Sequence, residues 1–263
     1  MASWKTGAVG VTAAVVAALG IVAPAQADPR VNGEIGYAYE YRYNGPRGFL
    51  GQPLTSEIRT PNSKGAYVAF QGGSIYWSPW TGAHELHGEI RNGWGRLGWE
   101  GGILGFPITD EGATSSGRGR WQDFEGGSMY WAPWSGAHMV RGDIQETYGN
   151  VMCSYDCGFG EDVLGFPISS ETRTPNGRGA YNHFQWGSIY WSPATGAHPV
   201  YGAIRDAWAG QGWENGRLGF PVQEEHVWDE DYVVQQFEGG FIGFTPGYGA
   251  EIFYGRYLPQ ECC

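Results

Sequence analysis

The sequence predicts a mainly β tandem-repeat protein with short helices, organised as four helix–turn–hairpin units. Three observations carry that prediction. Leu-Gly steps recur at Leu50, Leu104, Leu164 and Leu218, with spacings of 54, 60 and 54 residues, a period that marks an array of supersecondary units. Each step is preceded by Gly-x-Ile-x-x-x-aromatic and followed by an aromatic-rich hairpin pattern. Although the chain has 45 Gly and 15 Pro, it also has 13 Trp, 16 Tyr and 12 Phe. A disordered chain carries far less aromatic surface, so the glycines read as turns between short elements. In such an array, function belongs to a face presented several times over more than to one asymmetric catalytic cleft.

Residues 1–27 read as a secretory signal peptide. Lys5 gives a minimal positive start, Gly7 to Ala23 is an apolar run of 17 residues, and Ala25-Gln26-Ala27 is a small-x-small cleavage site. The run is broken by Gly10 and Gly20 and falls short of the roughly 20 residues a bilayer crossing needs. The expected mature chain, 28–263, holds no other stretch of that kind and is predicted to be secreted, with no membrane attachment after cleavage. Loss of the leader's single lysine takes the formal charge from −11 to −12. That balance argues against nucleic acid, whose binding rests on clustered Lys and Arg.

The repeat units are assigned to 33–87, 88–141, 142–201 and 202–254, with a Cys-containing tail at 255–263. Each opens on a short helix, because Ile35 and Tyr39, Ile90 and Trp94, Ile144 and Tyr148, and Ile204 and Trp208 stand four apart and share one helix face. Gly45, Gly95, Gly149 and Gly210 are expected to end these helices. Leu-Gly-Phe-Pro follows, replaced in the first unit by Leu50-Gly51-Gln52-Pro53, and the Pro forces its predecessor into an extended conformation. A hairpin completes the unit: Ala66 to Gln71, Gly73 to Trp77, a Pro-, Thr- and Gly-rich break, then Ala83 to Leu86. The fourth unit departs, with Gly240-Phe241-Ile242-Gly243-Phe244. Units of this size do not bury their apolar faces alone, so they are expected to stack or close into a ring. Four cysteines downstream of an export signal, Cys153, Cys157, Cys262 and Cys263, are disulfide candidates with three connectivities open.

The fragments Leu104-Gly-Phe-Pro-Ile-Thr-Asp-Glu111, Leu164-Gly-Phe-Pro-Ile-Ser-Ser-Glu171 and Leu218-Gly-Phe-Pro-Val-Gln-Glu-Glu225, each with its hairpin, resemble the LGFP repeat family of exported actinobacterial proteins. The resemblance covers nearly all of the mature chain. It implies a cell-wall association module binding wall polysaccharide, often appended to wall enzymes, and a compact propeller-like β-rich ring. The repeats fill the chain from residue 33 on, so no catalytic domain is expected beside them.

The residue types suited to sugar recognition are the aromatic pairs Tyr76/Trp77, Tyr130/Trp131 and Tyr190/Trp191, with Trp80 and Trp134 at the hairpin breaks. Neighbours on a strand face opposite ways. If one packs inward, the other is left as a flat apolar platform with a polar edge, the surface on which sugar C–H faces stack. His84, His138 and His198, each after Gly-Ala, are further polar candidates, and a metal site would require them to converge. Glu57, Glu111, Glu171 and Glu225 share one offset. A glycosidase needs two carboxylates in distinct environments, so a Glu repeated in every unit is expected to accept backbone N–H groups instead. Neither Gly-x-Ser-x-Gly nor His-Glu-x-x-His occurs. The expectation is a noncatalytic wall-polysaccharide binder with no cofactor and no metal. Its rivals are a wall hydrolase or esterase with an unrecognised site, and an extracellular protein–protein interaction factor.

Overall fold

The computed structural model describes residues 31–150 and 163–256. The predicted leader and all four cysteines lie outside them. Four helices begin where the repeat predicts: α1 (Gly33–Tyr37), continued by a π turn over Ala38–Arg42, α2 (Gly88–Arg96), α3 (Gly142–Asn150) and α4 (Gly202–Gly210). Their Ile and aromatic residues all point into the core, each at most 4% exposed. Burial of a side chain of this size contributes roughly 2–3 kcal/mol, which is what holds helices too short to persist alone. The helix ends differ from expectation. Gly95 and Gly210 lie inside the last turns, and the left-handed residues that break the helices come later, at Gly98 (φ 96°) and Gly212 (φ 89°). Gly95 is small for another reason: the Trp99 ring would lie 2.7 Å from a Cβ there.

Each helix is followed by a four-stranded antiparallel sheet in simple chain order. The strands are β1 (Ile58–Arg59), β2 (Ala66–Ala69), β3 (Ser74–Ser78) and β4 (Gly82–Leu86); β5 (Gly112–Ala113), β6 (Arg120–Phe124), β7 (Gly127–Ala132) and β8 (Gly136–Val140). The third sheet has β9 (Thr172–Arg173), β10 (Ala180–His183), β11 (Gly187–Ser192) and β12 (Gly196–Tyr201), and the fourth β13 (His226–Asp229), β14 (Tyr232–Phe237), β15 (Gly240–Thr245) and β16 (Gly249–Tyr254). The opening strand of each sheet, two residues long in the first three, was not expected.

The Leu-Gly-x-Pro step is the knot of each unit. The Leu is fully buried, and the Gly takes φ between 67° and 73°, a region an L side chain avoids. That twist turns the Gly carbonyl back to the helix aromatic. Tyr39 Oη donates to Gly51 O at 2.8 Å, Trp94 Nε1 to Gly105 O at 3.0 Å, Tyr148 Oη to Gly165 O at 3.0 Å and Trp208 Nε1 to Gly219 O at 3.1 Å. The next backbone N–H is accepted by a side chain from the turn between second and third strands: Gln71, Glu125, Gln185 or Glu238. The Pro bridges to a buried Phe at the end of the second strand or one residue beyond it, at Phe70, Phe124, Phe184 and Phe237.

Three junctions join the units with one chemistry. Tyr76 meets Trp94 edge-on at 4.7 Å, Tyr130 meets Tyr148 at 5.3 Å and Tyr190 meets Trp208 at 4.7 Å, in each case from the third strand of one unit to the helix of the next. The Phe of the Leu-Gly-Phe-Pro step lies back over a glycine of the preceding unit, Phe106 over Gly65, Phe166 over Gly119 and Phe220 over Gly179. A fully buried amide spans the same seam: Gln122 Nε2 to Glu85 O at 2.7 Å, Asn182 Nδ2 to Met139 O at 2.9 Å and Gln235 Nε2 to Pro199 O at 2.8 Å. The outer units lack these parts. In the first unit Gln52 replaces the Phe and Val68 the amide; in the fourth, Tyr232 replaces the glycine and Gly243 the Tyr.

Candidate functional site

The alternation of each third strand separates its aromatic pair. Tyr76 and Tyr190 are 5% and 3% exposed and belong to the junctions, so neither ring has a face to offer a sugar. Tyr130 is half-buried and packs on Tyr148 in the same way. Trp77, Trp131 and Trp191 turn to the opposite side and remain half-buried at the rim between sheet and helix. Beyond them, at the tips of the hairpins between third and fourth strands, Trp80 is 74% and Trp134 53% exposed. Ala194 takes that position in the third unit. Trp134 stands edge-on to Phe166, 5.6 Å away, which braces the ring of an otherwise open tip.

Strand register adds residues that sequence reasoning missed. Directly opposed residues of antiparallel strands share a face. Trp77 is therefore aligned through Ala66 with Arg59, Trp131 with Arg120, and Trp191 through Ala180 with Arg173. Ala83, Ala137 and Ala197 flank the indoles on the other side. Three sheets thus carry an indole and a guanidinium on a floor of alanines. In the fourth, the corresponding pairs are Val233 with Phe244 and Phe244 with Ala250.

The repeated glutamates do not accept the backbone N–H groups assigned to them; the side chains from the turn between second and third strands do that. Glu171 pairs with Arg141, the residue just before α3. Glu111 lies 3.4 Å from His87, just before α2, and 3.6 Å from Arg120. His87 also meets Glu85 at 2.7 Å, a contact that raises its pKa, while burial raises that of Glu111 against the pull of His87. Tyr201 stands where the cation would be in the fourth unit. Burial there pushes the Glu225 carboxyl up to about 7.

The three histidines act as clasps on their own hairpins. His84, His138 and His198 each place Nε2 within 2.7–2.9 Å of a carbonyl three residues back, that of Thr81, Ser135 or Thr195. His84 Nδ1 also meets Asp110, which accepts from Tyr43. Burial alone would raise the Asp110 pKa, but these hydrogen bonds and nearby Arg42 hold it below the usual carboxylate range. Among the described residues no group of three or more His, Cys, Asp or Glu is placed to hold a metal ion. No helix among them is long and apolar enough to cross a membrane.

A protein-family model described as LGFP repeat matches residues 50–102, 104–151 and 164–216. No curated protein matches the chain. Among solved structures, the extracellular domain of a one-component system from B. thetaiotaomicron aligns over 74% of this chain, 10% identical, with a TM-score of 0.16. The chain spans 23% of that protein's length. A hemopexin-fold protein from cow pea, 13% identical, aligns over 75% of this chain and 89% of its own, with a TM-score of 0.18. A Cicer arietinum albumin described as showing hemagglutination aligns over the same shares at 14% identity and a TM-score of 0.17. Overlap at that level carries no argument about ligand or fold.

Proposed function

Because the chain belongs to the LGFP repeat family, we propose that it is a secreted, noncatalytic module that binds cell-wall polysaccharide through repeated aromatic sites. The observation that carries this reading is the pair of exposed indoles, Trp80 and Trp134, at equivalent hairpin tips of successive units, each with a half-buried Trp of the same hairpin. What sets these two indoles apart from other exposed aromatics is their repetition at one position of the unit, and a polymer with many equivalent residues suits a protein that offers the same platform more than once. The leader-like first 27 residues support export. The four sheets are taken to close into a propeller-like ring, a reading supported by four sheets of one strand order and three junctions of one chemistry. The seam between fourth and first units then lacks the Tyr, Phe and amide contacts of the others.

The test is co-sedimentation with insoluble actinobacterial cell wall, followed by assay of the supernatant for released sugar or peptide. Pelleting without release is expected. Trp80→Ala together with Trp134→Ala should weaken pelleting about tenfold, since an aromatic contact contributes on the order of 0.5–1.5 kcal/mol and two are removed. The double variant should stay folded, its melting temperature lowered only by the loss of the Trp134–Phe166 contact. Undiminished pelleting would reject the hairpin tips as the site, and turnover abolished by one carboxylate or His substitution would replace the binder with an enzyme.

A further inference from the structure

The third unit carries a cleft beside its half-buried indole. It encloses about 310 Å³ between Arg141, Glu171, Arg173, Arg178, Trp191 and Pro193. Three guanidiniums and one carboxylate line it, in a chain whose formal charge is −11. Arg141 and Arg178 are matched by Glu171 and Glu238, and Asp143 accepts from the Trp191 indole, so among the described residues the cation the cleft leaves unmatched is Arg173.

The parts of the cleft are held in place. Trp191 Nε1 donates to Asp143 Oδ2 at 2.6 Å, which fixes the orientation of the indole at the foot of α3. Arg178 is braced by an ion pair with Glu238 and lies 5.3 Å from the centroid of the Phe220 ring. Arg141 turns one Nη to Glu171, and its Nε is shielded from solvent with no hydrogen-bond partner. Arg173 is exposed and bonds only the Gly177 carbonyl, at 3.2 Å, so no carboxylate neutralises it among the described residues. The counterpart in the second unit is composed differently: Glu111 faces His87 and Arg120, and His87 also meets Glu85.

We propose that this cleft is a subsite for an acidic saccharide, whose ring lies against Trp191 and whose anionic group is met by the guanidiniums of Arg173 and Arg178. Arginine suits the task because its planar fork of N–H donors matches a carboxylate or phosphate with two parallel bonds. The inference deepens the polysaccharide-binding reading and rests on it. It adds a charge requirement that the hairpin-tip indoles do not have.

The test follows the Trp191 indole N–H resonance of the full chain by NMR while titrating trigalacturonate, its neutral counterpart galactotriose, and glucose 1-phosphate. Arg173→Gln is the variant of choice, because the side chain is exposed and its loss leaves the packing of the unit intact. Trigalacturonate should shift the resonance, with affinity reduced about tenfold or more in Arg173→Gln, the loss expected for one charge-assisted hydrogen bond. Raising NaCl from about 50 mM to about 500 mM should weaken it as well. An Arg173-dependent shift with glucose 1-phosphate supports the proposal with phosphate as the anionic group. Equal shifts with galactotriose, unaffected by Arg173→Gln, overturn the acidic requirement and leave the polysaccharide reading standing. Absence of any shift at Trp191, while wall pelleting through Trp80 and Trp134 persists, overturns the subsite alone. Loss of wall binding by the parent protein sinks the reading on which the subsite rests.

Discussion

Gly65, Gly119 and Gly179 are the residues on which the junctions turn. A Cβ on Gly179 would sit 2.0 Å from Trp191 O and 2.8 Å from the Phe220 ring, and a backbone carbonyl in a sheet has nowhere to go. Gly179→Ala should therefore destabilise the protein by about 3 kcal/mol, the upper part of the range for overpacking a filled site, with a matching fall in the urea midpoint. Gly210→Ala is the contrasting case. It lies in the last turn of α4 with negative φ and no atom within 4 Å of a Cβ, so Ala should stabilise by about 0.5–1 kcal/mol. A smaller loss at Gly179 than at an arbitrary surface glycine would show that Phe220 does not pack there as described. The recurrence of these glycines is plain in the sequence, but whether a given one serves a backbone angle or a close approach is not. Gly95 shows why: it reads as a helix terminator, whereas its role is to make room for a Trp four residues on. Only the folded contact separates the two.

At the scale of the element, the helices and the three longer strands of each sheet were legible because Ile and an aromatic four apart, and β-branched or aromatic runs broken by Pro-Gly turns, are strong periodic signals. The opening strands were not. Two residues such as Ile58-Arg59 carry no periodicity, and they are extended only because Tyr67 and Ala66 offer them a ladder. Missing them hid the alignment of Arg59 and Arg173 with Trp77 and Trp191, and with it the guanidinium half of the candidate site. The fourth sheet supplies a prediction of its own. Glu225 keeps the repeated position but has lost the cation before the helix, and burial pushes its folded pKa up from the ordinary glutamate range to about 7. A carboxyl raised in this way favours the folded state while protonated, below its unfolded value, and the contribution disappears as pH rises through about 7. The stability of the parent protein relative to Glu225→Gln should therefore fall between about pH 5 and pH 8, read as the difference in melting temperature. A difference that does not change with pH would mean the carboxylate is solvated.

For the whole molecule, the informative residues are those that break the repeat. Terminal units of an array are atypical because one face has no identical neighbour to cover it. The first unit lacks the Phe that would reach back and the amide that would span a preceding seam; the fourth lacks the glycine that would receive a Phe and the Tyr that would reach forward. These are the two halves of one missing junction. Tyr232 of the second strand fills the space over Gly243, where its hydroxyl lies 1.9 Å from a would-be Cβ, so the fourth unit completes its face from within. An end finished this way needs no partner to stay folded, yet it does not prevent two finished ends from meeting. If the units close into a ring, the chain in solution should have the radius of gyration of a compact domain of about 230 residues, roughly 17 Å. Small-angle scattering measures it directly. A value well above that would describe an open stack whose first and fourth units stay apart, and the row of indoles at Trp80 and Trp134 would then follow a curved ribbon. That geometry would favour a polymer lying along several units over one crossing the end of a ring, so the scattering result also decides how the wall-binding variants are to be read.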